Sequence, residues 1–307
     1  MAEEFFTCGE NSPERVDKIL ARAFPHKSRA LIQRAIESSK VKRKDGTELE
    51  PKTKIFPGEE LVLDLSIEEK KSLSPKNIPL QIIFEDDDLV VLNKPSGMVV
   101  HPGDGTEDDT LIHAMLYKYP DGLCPVGSPE RPGIVHRLDK ETSGVMVVAR
   151  SERAYHSLVK QFADRKTEKT YYALVRGVMK ENEGEIDYPI GRHPKIRVKM
   201  AVVDHGKPAQ TKWEVLSTLG NNFSLLKVKI LTGRTHQIRV HFSYLGHPLA
   251  GDLTYGAKKS EAFQRVMLHA KTLGFYHPVT NEKKIFETEL PEDFRNSLIH
   301  IGFNLSR

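Results

Sequence analysis

The stretch Gly133-Ile-Val-His136-Arg137-Leu138-Asp139-Lys140-Glu141-Thr142-Ser143-Gly144-Val145-Met146-Val147-Val148-Ala149 decides how this chain is read. The run Val145 to Ala149 is short, apolar and rich in β-branched residues, the pattern of a strand buried on both faces. Asp139 to Ser143 are polar and turn-prone, so Asp139 is expected on a loop at the edge of a sheet. An aspartate is ordinarily ionised at neutral pH, and the neighbours His136, Arg137 and Lys140 are expected to favour that form. A held carboxylate can act as a nucleophile or as a base. A surface ion pair on a turn would give the same local spacing, so spacing by itself does not assign chemistry.

Longer patterns do. His136-Arg137-Leu138-Asp139-x-x-Thr142-Ser143-Gly144 fills every fixed position of the catalytic motif of the RluA-type pseudouridine synthases, which this chain resembles. A second segment is similar to the late motif of that family. It runs from Leu231-Thr-Gly233-Arg234-Thr-His236-Gln237-Ile238-Arg239-Val-His241 through Leu245-Gly246-His-Pro248 to Gly251-Asp252-x-x-Tyr255-Gly256. Lys169-Thr-Tyr171-Tyr172-Ala173-Leu174-Val175-x-Gly177 resembles the strand carrying the family's active-site tyrosine, and Leu92-Asn93-Lys94-Pro95-Ser96-Gly97 resembles its opening motif.

A chain of 307 residues with 38% hydrophobic content is long and apolar enough for one large core or two smaller ones. Cys8 and Cys124 lie far apart, without metal-site spacing, which fits a reducing cytoplasm better than a disulfide scaffold. The Met-Ala-Glu-Glu start lacks the basic and apolar regions of a secretory signal, and no apolar run approaches a membrane span. Among the histidines, His236 and His241 do not form His-Glu-x-x-His, and His136, His269 and His277 show no recognised ligand spacing. No metal is expected. Without a Walker loop or a Gly-x-Gly-x-x-Gly, no nucleotide cofactor is expected either.

Charge is concentrated near the start. Residues 15–44 hold ten Lys or Arg against Asp17 and Glu37, a local net of +8, so the remainder carries −4 of the overall +4. The same window has a readable fold. Ser12-Pro13 fits a helix N-cap and first position, with Val16, Ile19, Leu20 and Ala23 on one face. Ser28 fits the cap of a second helix with Leu31, Ile32, Ala35 and Ile36 facing a core. Lys40 to Leu49, with Asp45-Gly46 at the turn, reads as a hairpin, and Leu61, Leu63 and Leu65 alternate like a half-buried strand. The arrangement resembles an S4 RNA-binding domain, which implies Arg29, Arg34, Lys42 and Arg43 as phosphate contacts.

Ser66 to Pro79 is rich in Lys, Glu, Ser and Pro and suits a linker. The expected organisation is a tail over 1–11, an S4-like α/β domain over 12–66, a linker over 67–79 and a catalytic domain over 80–307. Leu89 to Leu92, Val145 to Ala149, Tyr171 to Val175 and Phe223 to Leu231 read as strands, and Arg153 to Asp164 as a helix. The fold class is α+β, and the resemblance implies a mixed, largely antiparallel sheet crossed by the active cleft.

The resemblance also implies roles. Asp139 is the carboxylate that engages an everted uridine. Arg239, on a helix expected over 235–245, pairs with Asp139, and Tyr171 stacks on the base. Arg137 fills the space left by the extruded nucleotide. His136, Lys140, Thr142 and Lys94 complete the substrate contacts, although Lys94 has a structural alternative in shaping the cleft. The implied partner is RNA, with large-subunit ribosomal RNA first and transfer RNA as the alternative. Pre-ribosomal particles are a further candidate partner, and a cytoplasmic monomer is the expected form. Two readings from other classes remain: a non-catalytic RNA-binding or ribosome-assembly factor, and an aspartate-dependent hydrolase of a nucleic-acid sugar.

Overall fold

The computed structural model describes residues 4–9, 13–25, 27, 29–65, 73–103, 109–124, 126, 131–196 and 198–304. It divides into two compact units, Met1–Ser72 and Leu73–Arg307. The proposed caps Ser12 and Ser28, and residues 66–72 of the expected linker, lie outside the described residues.

The first unit contains β1 (Glu4–Thr7), β2 (Glu14–Arg15), α1 (Val16–Ala23), α2 (Arg29–Glu37), β3 (Val41–Arg43), β4 (Lys54–Ile55) and β5 (Glu60–Leu63). β5 lies between β1 and β3 in an antiparallel sheet, and β2 pairs with β4. Helix α1 starts at Val16, later than the sequence suggested, because Glu14 and Arg15 are extended and committed to that strand pair. Its Val16, Ile19 and Leu20 pack with Ile32, Ala35, Ile36, Val41, Leu61 and Leu63 in one core, while Ala23 is exposed. The expected hairpin is only a bridge between Lys42 and Glu48, with Gly46 at φ 86°, and β3 takes β5 as its main partner.

The second unit contains β6 (Gln81–Glu85), β7 (Leu89–Lys94), α3 (Leu111–Lys118), β8 (Ser143–Ala149), α4 (Glu152–Ala163), β9 (Glu168–Arg176) and β10 (Glu183–Asp187). These are followed by β11 (Ile190–Arg192), β12 (Met200–Val202), β13 (Gln210–Leu219), β14 (Phe223–Ile230), α5 (Gln237–Tyr244), β15 (Leu268–Tyr276), β16 (Lys283–Glu287) and α6 (Glu292–His300). A nine-stranded sheet runs β10-β13-β14-β9-β15-β8-β7-β6, with β16 also on β15. Its pairs are antiparallel except β15 with β8, so the expected mixed, largely antiparallel sheet is present. The unit begins before the expected boundary at 80, since Leu73 packs on its core and the Lys76 amide donates to the His113 carbonyl at 3.0 Å.

Strand β8 is interior, flanked by β7 and β15, so the Asp139 loop enters the middle of the sheet rather than an outer strand. Met146 and Val148 face the core that includes Leu111, Ile112 and Met115 of α3, while Val145 and Val147 face Ala154 and Leu158 of α4. Cover on both faces explains why β8 reads as an unbroken apolar run and not as an alternation. Gly144 sits at φ 121° where β8 meets β15, and a Cβ there would collide with the Ala270 carbonyl oxygen. Only glycine lets these two backbones approach.

Candidate active site

The loop before β8 is pinned from below. The Thr142 amide donates to the Asp139 carbonyl at 3.1 Å, closing a turn. The Lys94 ammonium is fully buried and donates to the carbonyls of Pro95 and Met98 at 2.8 Å each and of Lys140 at 3.2 Å. From the opposite side comes Arg239 of α5. Its Nε and Nη2 donate to Asp252 at 2.7 and 3.0 Å, and its Nη1 donates to Asp139 Oδ2 at 3.1 Å. Asp252 is entirely buried, whereas the Asp139 side chain keeps 19% of its surface exposed. One guanidinium therefore joins a closed anchor to an open carboxylate, and its planar fork sets the direction of both bonds.

Asp139 opens into a cleft of ≈ 350 Å³, whose walls include Arg137, Thr142, Lys169, Tyr171, Arg234, His236 and Arg239. Asp139, Tyr171 and Arg239, far apart in the chain, share this cavity. Burial, with the Asp139 charge nearby, pushes the Tyr171 phenol above its ordinary range, so its hydroxyl is a donor with no anionic form near neutrality. Arg137 and Lys140 are exposed, and Thr142 is buried.

Two of the expected substrate contacts are used structurally. Lys94 spends its three protons on backbone carbonyls beneath the loop and cannot reach RNA, and burial lowers its ammonium to about 7. His136 lines the cleft with one edge, but its ring stacks on Phe162 and its Nε2 accepts the Val147 amide at 3.1 Å. Burial, with help from Lys169, holds this imidazole down to about 3. The ring is neutral, and the cation beside Asp139 is Arg239 rather than His136.

A pH dependence follows. The unfolded chain takes up the His136 proton below about pH 6.5, the folded ring resists it, and so this group subtracts stability as pH falls through that window toward about 3. In thermal melts from about pH 7.5 to about pH 4.5, the advantage of the wild type over His136→Gln should shrink steadily. A constant difference would mean that the folded ring takes up its proton over the same range as the unfolded chain, and so is not held neutral by the fold.

Several residues at the site carry no role in the sequence reading. Asp252 and Tyr255 stand inside a matched motif, but the Arg239–Asp252 pair spans 13 positions and leaves no local signature. Lys169 lies two residues before Tyr171, hence on the same face of β9. Burial between Arg165 and Arg234 lowers its ammonium to about 8. A basic residue in phase with the tyrosine is the signal that could have found it. In the first unit, Arg29 is committed to the buried Asp17 at 2.7 Å, Arg43 to Glu59 at 2.9 Å, and Lys42 lies 4.0 Å from Glu48. Arg34 has no acidic partner among the described residues.

Residues 88–244, the span holding Asp139, Tyr171 and Arg239, match the family described as RNA pseudouridylate synthase. The chain belongs to that family. It is an isomerase, an RNA pseudouridine synthase of the RluA type that its motifs resemble. An Aquifex aeolicus (strain VF5) protein named as an uncharacterized RNA pseudouridine synthase is 47% identical, covering 94% of this chain and 93% of its own. The Haemophilus influenzae ribosomal large subunit pseudouridine synthase D is 40% identical over 93% of this chain and 90% of that protein. Among solved structures, human RNA Pseudouridylate Synthase Domain Containing 1 superposes with a TM-score of 0.58 at 33% identity. That match covers 73% of this chain and 86% of the human one. No helix among the described residues is long and apolar enough to cross a membrane.

Proposed function

We propose that this enzyme converts uridine to pseudouridine in large-subunit ribosomal RNA, with Asp139 as its catalytic carboxylate. The supporting observation is the single guanidinium of Arg239, fixed on buried Asp252 and aiming Asp139 into the cleft that Tyr171 lines. Isomerisation breaks the bond from C1′ to N1, turns the base and joins C1′ to C5; a proton leaves C5 and N1 gains one, so mass is unchanged. The base must leave its stack to enter such a cleft. Tyr171 offers a ring face and a hydroxyl proton, Arg137 an exposed planar cation for the vacated position, and Asp139 an oriented anion. The ribosomal substrate rests on the names of relatives at about 40% identity, such as those from Haemophilus influenzae and Vibrio parahaemolyticus. In the same reading the reaction takes place in the cytoplasm, pre-ribosomal particles are candidate partners, and the enzyme acts as a monomer.

The test is to incubate the full chain with large-subunit ribosomal RNA and with transfer RNA, then map pseudouridine in each. Discrete modified uridines in the ribosomal RNA are expected. Modification of transfer RNA alone would overturn the substrate, and free uracil with abasic sites would overturn the isomerisation.

In the same reading the first unit is an S4-like RNA-binding domain that reaches beyond the expected 12–66, because β1, within the expected tail over 1–11, pairs with β5, and the catalytic domain takes in residues 73–79 of the expected linker. Arg34 and the ion-paired Arg29, Lys42 and Arg43 form its phosphate-facing set. Because this unit has a core of its own, removing 1–72 deletes a fold instead of cutting one. Plots of log affinity against log salt should become shallower by close to one counterion for each phosphate that the unit neutralises. An unchanged slope would remove the domain from RNA binding.

A further inference from the structure

One more side chain approaches the Asp139 carboxylate, and no motif role covers it. His236 caps the start of α5 with φ 56° and ψ 23°, a left-handed conformation that glycine adopts at less cost. A side chain kept there against backbone preference points to a constraint from its surroundings. That constraint is visible. Tyr255 Oη accepts the Met200 amide proton at 2.9 Å and lies 2.8 Å from His236 Nδ1, to which its own O–H is free to donate. The two rings meet edge to face with centroids 5.6 Å apart. With Nδ1 taken as an acceptor, the ring proton of a neutral imidazole lies on Nε2. Nε2 stands 3.9 Å from Asp139 Oδ1, the oxygen that Arg239 does not hold. Burial keeps the ring on the neutral side despite the Asp139 and Asp252 charges, with Arg239 and Arg137 also facing it.

We propose that His236 is a positioning residue for the reaction, its Nε2–H tautomer fixed by Tyr255 and directed at the second oxygen of Asp139. The inference rests on Asp139 being the reacting carboxylate. Arg239 fixes one oxygen, and His236 approaches the other from the opposite end of the same short segment. At 3.9 Å the pair is beyond hydrogen-bond length, and the approach tightens when the nucleotide fills the cleft, as catalytic hydrogen bonds commonly do. The relay starts on a backbone amide of β12, which pairs with β11 in a separate hairpin. The orientation of the imidazole therefore depends on that hairpin staying docked beside α5.

The test uses full-length protein with Tyr255→Phe and His236→Asn. Asparagine tolerates the left-handed backbone but lacks the reach of the ring. Imidazole ¹⁵N spectra should show a neutral Nε2–H tautomer for the signal that His236→Asn deletes, and Tyr255→Phe should abolish that preference. On ribosomal RNA, single-turnover rates should fall by between about 10-fold and about 10²-fold in both variants, as misplacement of a reacting group does, with RNA Kd within about twofold of wild type. A wild-type spectrum with the proton on Nδ1, or rate losses matched by equal losses in RNA affinity, would overturn the proposal. Wild-type rates in both variants beside an inactive Asp139→Asn would overturn this proposal alone. An active Asp139→Asn would overturn the parent reading together with it.

Discussion

Asp139→Asn is expected to bind RNA as the wild type does and to lose roughly 10²–10⁴-fold in pseudouridine formation, the range that follows removal of one positioned acid–base group. The substitution preserves shape, and the amide oxygen can still accept the proton from Arg239 Nη1, so the loop before β8 keeps its hold. What disappears is the anion. An amide cannot attack carbon, remove a proton or balance charge developing at the sugar, so the prediction holds for each of these three roles. Because C5 of the base loses its hydrogen, RNA carrying tritium at that carbon reports turnover by release into water. The measurement pairs that release rate with RNA affinity. A variant that releases tritium at the wild-type rate would show that Asp139 is not the reacting group. A variant whose loss lies in affinity would make Asp139 a binding residue.

How much of this is readable in the sequence depends on whether the signal is local. Strand β8 announces itself because five apolar residues follow a polar turn, and α4 because Ala154, Leu158 and Phe162 repeat at helical spacing. The Asp139 loop, Arg239 and Tyr171 come from long patterns whose order along the chain can be matched. The reason that they cooperate is not readable, because it is tertiary: α5 delivers Arg239 across the sheet to a loop a hundred positions earlier in the chain. Lys94 and His136 mislead for the same cause. A lysine in a motif and a histidine beside an aspartate both look like charges for a substrate. Burial turns the first into a clamp on three carbonyls and the second into a neutral acceptor for the Val147 amide. Sequence places helix α1 too early because pairing of Glu14 and Arg15 with distant Lys54 and Ile55 overrides local helix preference. The basic window predicts the charge of the first unit but not that Asp17, Glu48 and Glu59 engage three of the four cations expected to face phosphate.

Arg239→Met should damage the fold as well as the reaction. Asp252 has no exposed surface, and its two oxygens take both remaining arms of the guanidinium. Removing the cation strands a carboxylate away from water, at a cost of about 3–5 kcal/mol. Denaturant unfolding should show that loss, and turnover should vanish with it because Asp139 is no longer aimed. Taken alone, the activity result would be ambiguous, since an unstable enzyme is a poor one. The double variant Arg239→Met with Asp252→Leu separates the two effects. Replacing a buried ion pair by apolar groups of similar volume is close to neutral, so stability should return to within about 1–2 kcal/mol of wild type. Turnover should stay as low as in the single variant, because nothing restores a donor to Asp139 Oδ2. Arg239→Lys should fail at the same step while keeping the charge, since one ammonium on a flexible stem cannot present a planar fork to Asp252 and a third proton to Asp139. If the double variant recovered turnover along with stability, the role of Arg239 would reduce to neutralising Asp252, and the aim of Asp139 would have to come from elsewhere in the cleft.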